Sequence, residues 1–205
     1  MLDNKGFDLW ADGYDAAVGL SDEADAYPFA GYKRVLGEIF HIIMDTPGAA
    51  VLDIGFGTAA LTAKLYERGC RIYGQDFSER MLGLAKAKMP GAELYQGDFA
   101  LGLAAPLLES RYDFIVATYS LHHLTDERKI EFIFELLGLL NEGGRLLIGD
   151  VAFETRAELE TCRQLAGEEW DDEEYYFVAE ELRASFPGLT FTRCSHCAGV
   201  LTLGK

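Results

Sequence analysis

Residues 51 to 59, Val-Leu-Asp-Ile-Gly-Phe-Gly-Thr-Ala, carry the densest chemical information in the chain. Val51, Leu52 and Ile54 make a short apolar strand, Gly55 and Gly57 free the backbone for a tight turn, and Thr58 can cap the helix expected from Ala59. A strand that breaks into glycines and re-enters a helix leaves N–H groups open to a ligand, and glycine lets that ligand touch the main chain. Such a loop suits a nucleotide-like cofactor. Further along lie Asp76, Asp98, Thr118-Tyr119, the pair His122-His123, and Asp150. Carboxylates can accept hydrogen bonds from ribose hydroxyls, and imidazoles or a second carboxylate can move a proton.

These residues converge only if the elements around them form a doubly wound sheet. Apolar residues at Phe29, Tyr32, Leu36, Ile39, Phe40 and Ile43 predict a helix with one buried face, bounded by Pro28 and by Pro47-Gly48. Strands are expected over 50–54, 71–75, 93–96, 113–118 and 145–148, with helices over 59–68, 79–89 and 126–140 between them. Gly69 and Pro90-Gly91 stop two of these helices, Ser78 can cap one, and 141–144 reads as a turn. A mixed region, 154–185, should hold one or two helices. The closing strands, 189–193 and 199–203, are too close in sequence for a crossover and should pair as an antiparallel hairpin. The alternation predicts an α/β fold with a mostly parallel sheet and helices on both faces. Ligands of such sheets bind outside the carboxyl ends of the strands, and each residue singled out above ends a strand or follows one.

The chain has 205 residues, enough for one domain with a sizeable core. We divide it into an N-terminal helical lid segment (1–48), a cofactor-binding core (49–151), and a lid region with the closing hairpin (152–205). With 18 Lys+Arg against 34 Asp+Glu, the net charge of −16 argues against a nucleic-acid partner or an anionic membrane surface. The first residues carry Asp3, Asp8, Asp12 and Asp15 and lack an apolar run, so no signal peptide is expected. No stretch approaches the ~18 apolar residues of a membrane span. The four cysteines are too few and scattered for a disulfide framework, and a cytoplasmic location with reduced thiols is expected. Cys194-Ser195-His196-Cys197 has no second Cys/His pair nearby and falls in a hairpin, so no metal site is predicted there. The acidic run 168–174 reads as a solvated loop. Alternatively, Trp170, Tyr175 and Tyr176 join Trp10, Tyr14 and Tyr27 as an aromatic lid.

The loop discriminates among cofactors. A dinucleotide fold would carry a third glycine where this chain has Ala60, and a phosphate loop would carry Lys-Ser or Lys-Thr, which is absent. Asp53, two residues before Gly55, is poor company for pyrophosphate and suits an ammonium group or another positive centre. At this point the chain resembles a class I S-adenosylmethionine-dependent methyltransferase. Asp53-x-Gly55-x-Gly57 is similar to that family's first motif, and Tyr73-Gly74-Gln75-Asp76-Phe77-Ser78 to its second-strand motif. Gly97-Asp98-Phe99, Tyr112 to Val116 with Leu121-His122-His123-Leu124, and Leu140 to Ile148 are similar to the next three. Trp10-Ala11-x-x-Tyr14-Asp15 and Glu174-Tyr175-Tyr176-Phe177 resemble the bacterial YrrT-type subgroup. Ala59 departs from the glycine often found at its position in the family.

The resemblance implies a seven-stranded sheet of order 3-2-1-4-5-7-6, strand 7 antiparallel, and methyl transfer from S-adenosylmethionine to a small molecule by in-line displacement. It implies that Asp53, Gly55 and Gly57 hold the methionine part, with Tyr14 closing over it. Asp76 would take the ribose hydroxyls, and Phe77 one face of adenine. Asp98 would take the adenine amino group beside Phe99, or else cap the next helix. Thr118 and Tyr119 would line the pocket. His122, His123 and Asp150 are the candidate bases. The alternatives are a non-catalytic S-adenosylmethionine-binding protein, and a protein or RNA methyltransferase. A monomer or homodimer is expected.

Overall fold

A computed structural model of the chain describes residues 26–205, so Trp10 and Tyr14 lie outside the described residues. In chain order the elements are α1 (Tyr32–Met44), β1 (Ala50–Ile54), α2 (Thr62–Glu67), β2 (Arg71–Asp76), α3 (Glu79–Lys88) and β3 (Glu93–Gln96). There follow α4 (Ala105–Leu108), β4 (Tyr112–Thr118), α5 (Asp126–Gly138), β5 (Leu140–Phe153), α6 (Arg156–Ala166), β6 (Phe177–Val178), α7 (Ala179–Leu182), β7 (Thr190–Arg193) and β8 (Ala198–Gly204).

The sheet runs β3-β2-β1-β4-β5-β8-β7. The first five strands are parallel, β8 is antiparallel to β5, and β7 to β8. With β7 and β8 as the expected strands 6 and 7, this is the order the resemblance implied. One strand is additional: β6 pairs parallel with Ala152 and Phe153 at the end of β5. A two-residue strand has no period to read.

Successive strand residues feed two cores, because side chains alternate across a sheet. Val51, Ile72, Val116 and Leu147 pack on one face with Val35, Ile39 and Ile43 of α1 and Leu65 of α2. Leu52, Ile54, Ile115 and Ile148 face the other side, against Phe132, Ile133 and Leu136 of α5. Gly149 permits α1 to lie close on β5: a Cβ there would fall 2.4 Å from Val35 Cγ1.

Among the element ends that differ from expectation, two do so for clear local reasons. The expected turn 141–144 is absorbed into β5 as an irregularity of register, opposite Tyr112 to Phe114 of β4, with Gly143 at φ +74°. Asn141 Nδ2 donates to Asp113 Oδ1 at 2.7 Å and ties the irregular stretch to β4. Helix α2 starts at Thr62 and not at 59, because Ala59 sits at φ +59° and prolongs the loop. That conformation costs an L-residue about 1–2 kcal/mol, and the added freedom of glycine when unfolded costs about 0.5–1. Ala59→Gly is therefore expected to stabilise the protein by up to about 1 kcal/mol, measured as a rise in the denaturant midpoint at constant slope.

Candidate functional site

The carboxyl ends of β1, β2 and β4 enclose one cavity. Asp53, Gly55, Gly57, Asp76, Phe77, Phe99, Thr118, Tyr119 and His123 all line it. So do Tyr32, Ser78, Met81 and Ser120, which the sequence did not single out as site residues. The loop that forms its floor is held from both sides. Gly55 N–H donates to Gln75 O at 2.8 Å, and at φ +71° a Cβ on it would fall 2.7 Å from Ser120 Cβ. Ser120 Oγ donates in turn to Ile54 O at 2.7 Å. Asp76 accepts from the Gly57 N–H through Oδ2 at 2.8 Å and from the Ser78 N–H through Oδ1 at 2.9 Å. One carboxylate thus links the glycine loop to the start of α3.

Asp53 is the unusual group. It lies in the middle of the sheet, 1 % exposed, with Oδ2 accepting from Thr62 Oγ1 at 2.9 Å. Its Oδ1 is buried and accepts no hydrogen bond from the described residues. Burial raises its pKa to about 7, the Thr62 hydroxyl works against that rise, and the Asp76 charge adds to it. A carboxylate this costly to ionise favours a cation beside it. Thr62→Val removes the hydroxyl that stabilises the ionised form and is expected to move the midpoint of any Asp53-dependent pH profile up by about one pH unit.

The far wall carries imidazoles. His123 lines the cavity, while His122 sits behind it with ring centroids 4.2 Å apart. His122 Nδ1 lies 2.7 Å from Oδ1 of the fully buried Asp150. Burial opposes a charge on His122, but Asp150 and Glu174 outweigh it, and the pKa is raised. Burial and the neighbouring His122 push His123 down to about 4, so its ring is neutral at pH 7. Tyr119 stands beside this wall at φ +50°, its hydroxyl buried without a partner among the described residues, packed on Tyr32 and Phe29 at 5.2 and 5.4 Å.

A methyltransferase-domain family matches residues 51–144, the stretch that supplies every lining residue but Tyr32. An uncharacterized methyltransferase of Geobacillus thermodenitrificans is 36% identical over 91% of this chain and 87% of its own length. The chain belongs to this methyltransferase family. Solved structures share the fold. Magnesium protoporphyrin IX methyltransferase from Synechocystis, with S-adenosylhomocysteine bound, aligns at TM-score 0.68 and 22% identity, over 86% of this chain and 84% of that one. The N-methyltransferase NodS from Bradyrhizobium japonicum, also with S-adenosylhomocysteine, aligns at TM-score 0.62 and 18% identity, over 86% and 88%.

Not every expected site residue of this methyltransferase reaches the cavity. Asp98 is exposed and outside the lining; its Oδ1 accepts from Ala100 N–H at 2.9 Å and caps the short turn Phe99–Leu101. Oδ1 thus fills the capping role that was the alternative to an adenine contact. Asp150 and His122 are also outside the lining, with His122 packed behind His123. The acidic run is solvated at Glu168, Glu169, Asp171, Asp172 and Glu173, but Trp170 and Glu174 turn inward. Trp170 stacks on Tyr27 at 5.2 Å and meets Tyr176 edge-on at 4.8 Å, so part of the aromatic cluster exists. Tyr175 does not join it: its side chain is 43% exposed. All four cysteines are free and buried, and Ser195 Oγ accepts from the Cys197 and Ala198 N–H groups, which makes 194–197 a tight turn. No described helix is long and apolar enough to cross a membrane.

Proposed function

We propose that this chain transfers the methyl group of S-adenosylmethionine to a small-molecule acceptor, bound between the glycine loop and the imidazole wall. The observation that carries the reading is Asp53. Its buried Oδ1, orphaned among the described residues just before the glycine loop, fits the ammonium group of the methionine moiety, and pairing would relieve a carboxylate whose ionisation burial and the Asp76 charge both oppose. When bound, S-adenosylmethionine supplies a methyl group on a positively charged sulfur, ready for in-line displacement.

The chain's own residues then bind, orient and exclude water. Asp76 takes the ribose hydroxyls, exchanging part of its grip on the Gly57 and Ser78 amides. Phe77 covers adenine, with Phe99 on the neighbouring wall. Gly55 and Gly57 leave the main chain bare where the methionine part passes, and Thr118 and Tyr119 close the floor. Holding the acceptor at near-attack distance can supply on the order of 7–11 kcal/mol of the barrier, so the protein needs little other chemistry. Tyr14, outside the described residues, remains assigned by resemblance to the methionine end.

A small acceptor is favoured over a macromolecule by two features. The cavity is walled by the aromatic rings of Tyr32, Tyr119 and Phe77, and the net charge of −16 opposes RNA. The experiment is methyl transfer from donor carrying a labelled methyl group, offered a cell extract split by size. Label is expected in the small-molecule fraction. Label in protein or RNA contradicts the acceptor class, and cofactor binding with no label anywhere favours a non-catalytic binding protein.

A further inference from the structure

We infer that His122, His123 and Glu174 form a binding site for one divalent transition-metal ion of the zinc class, on the acceptor side of the cavity. The three offer ligand atoms that all lie within 4.8 Å of one another. His122 Nε2 and Glu174 Oε1 are 3.5 Å apart. That is long for a good hydrogen bond, which peaks at about 2.9–3.0 Å. It matches two ligands each about 2.0–2.1 Å from a tetrahedral ion, whose mutual separation is about 3.3–3.5 Å. Two imidazoles and one carboxylate are a donor set that catalytic zinc sites use, with a further position left for water or substrate.

The surroundings are those of a built site. Metal-binding histidines have the second ring nitrogen fixed by a carboxylate or carbonyl. His122 Nδ1 meets Asp150 Oδ1 at 2.7 Å, and Asp150 is itself held by its contact with the Val151 N–H at 2.8 Å. This orientation turns Nε2 toward Glu174. The carboxylate of Glu174 is also fixed: its Oε2 accepts from Tyr176 OH at 2.7 Å, and Tyr176 OH in turn meets Tyr27 OH. Backbone pins the two segments together, with Tyr175 N–H donating to His122 O at 2.8 Å. Asp150 and Glu174 supply the negative charge that an ion between them needs. Buried Lys129 opposes them, but Asp126 engages it at 3.0 Å and the Tyr175 carbonyl caps it.

Because His123 also lines the cavity, an ion here would stand next to the acceptor, and its open position would take a thiol, hydroxyl or amine of that molecule. This last step rests on the methyltransfer reading; metal binding does not. In this proposal the candidate bases His122 and His123 serve as ligands, and Asp150 orients one of them.

The test uses untagged protein, stripped with a chelator and titrated with zinc against a chromophoric competitor. About one equivalent is expected to bind at micromolar or tighter affinity. Glu174→Gln and His123→Ala should each weaken it at least 100-fold, and Cys162→Ser should leave it unchanged. Cobalt in place of zinc should give visible ligand-field absorption without a thiolate charge-transfer band. No binding at micromolar zinc, undiminished binding in Glu174→Gln, or a thiolate band would each overturn the site. Calorimetry with S-adenosylhomocysteine on the same zinc-free protein tests the donor reading separately, so failure of one is distinguishable from failure of the other.

Discussion

Asp53→Asn is expected to stabilise the protein and cripple donor binding at once. In the folded wild type the Asp53 pKa stands at about 7 against an ordinary 3.8. The folded state therefore holds this proton more tightly between those limits, and stability falls as pH rises through them. The difference is about 3 pH units, and at 1.36 kcal/mol each the ionised group costs up to about 4 kcal/mol at pH 8. Asparagine removes the charge and still accepts from Thr62, while its amide turns toward the orphaned side. The expected gain is about 2–4 kcal/mol at pH 8, shrinking to about 0.5 kcal/mol near pH 4, where both side chains are neutral in the folded protein. Without the carboxylate, the ammonium group of S-adenosylhomocysteine loses its partner, and affinity should drop about 100-fold, or about 2.7 kcal/mol. Denaturation at several pH values and calorimetry check the two halves. Opposite signs for stability and binding mark a functional group; a drop in both would make Asp53 merely structural.

Asp76→Ala should lose affinity by at least 100-fold and stability as well. Its carboxylate holds the Gly57 and Ser78 N–H groups, and leaving two amides without a partner costs about 1–3 kcal/mol each where they stay buried. Asp76→Asn keeps one acceptor oxygen and should be intermediate in both. Removing the Asp76 charge also relieves its repulsion of Asp53, so the pH midpoint of Asp53 should move down. Calorimetry across pH reads both effects. Unchanged affinity for S-adenosylhomocysteine in Asp76→Ala would remove the ribose assignment.

Much of this was legible before the structure. Strands β1 and β3 have the bounds that the apolar pattern predicts, because Val51, Leu52 and Ile54 are bracketed by Pro47-Gly48 and Gly55, and Glu93 to Gln96 by Pro90-Gly91 and Gly97. Ser78 caps its helix with the side-chain contact its type suits. The residues at strand ends converge because a parallel sheet puts all those ends on one side, which is why Asp53, Asp76 and Thr118 meet.

What was not legible depends on geometry that no period encodes. Ala59 reads as a helix former, and only its positive φ shows that the loop runs on. The conformation at Tyr119 is equally silent in the sequence. Asp98 follows a strand just as Asp76 does, but a turn begins directly after it, and the local amide of Ala100 claims its carboxylate. Glu174 is hidden in a run of acids, and its difference from Glu173 appears only when Tyr176 and His122 fold against it.

The most direct test of the account is calorimetry of S-adenosylhomocysteine at pH 6, repeated in two buffers of different ionisation enthalpy. With its pKa near 7, Asp53 is mostly protonated at that pH in the free protein and should lose its proton when the ammonium group docks. The account predicts micromolar binding with release of about one proton, and no such release in Asp53→Asn. Absence of binding at millimolar ligand, or binding without proton release, would contradict it.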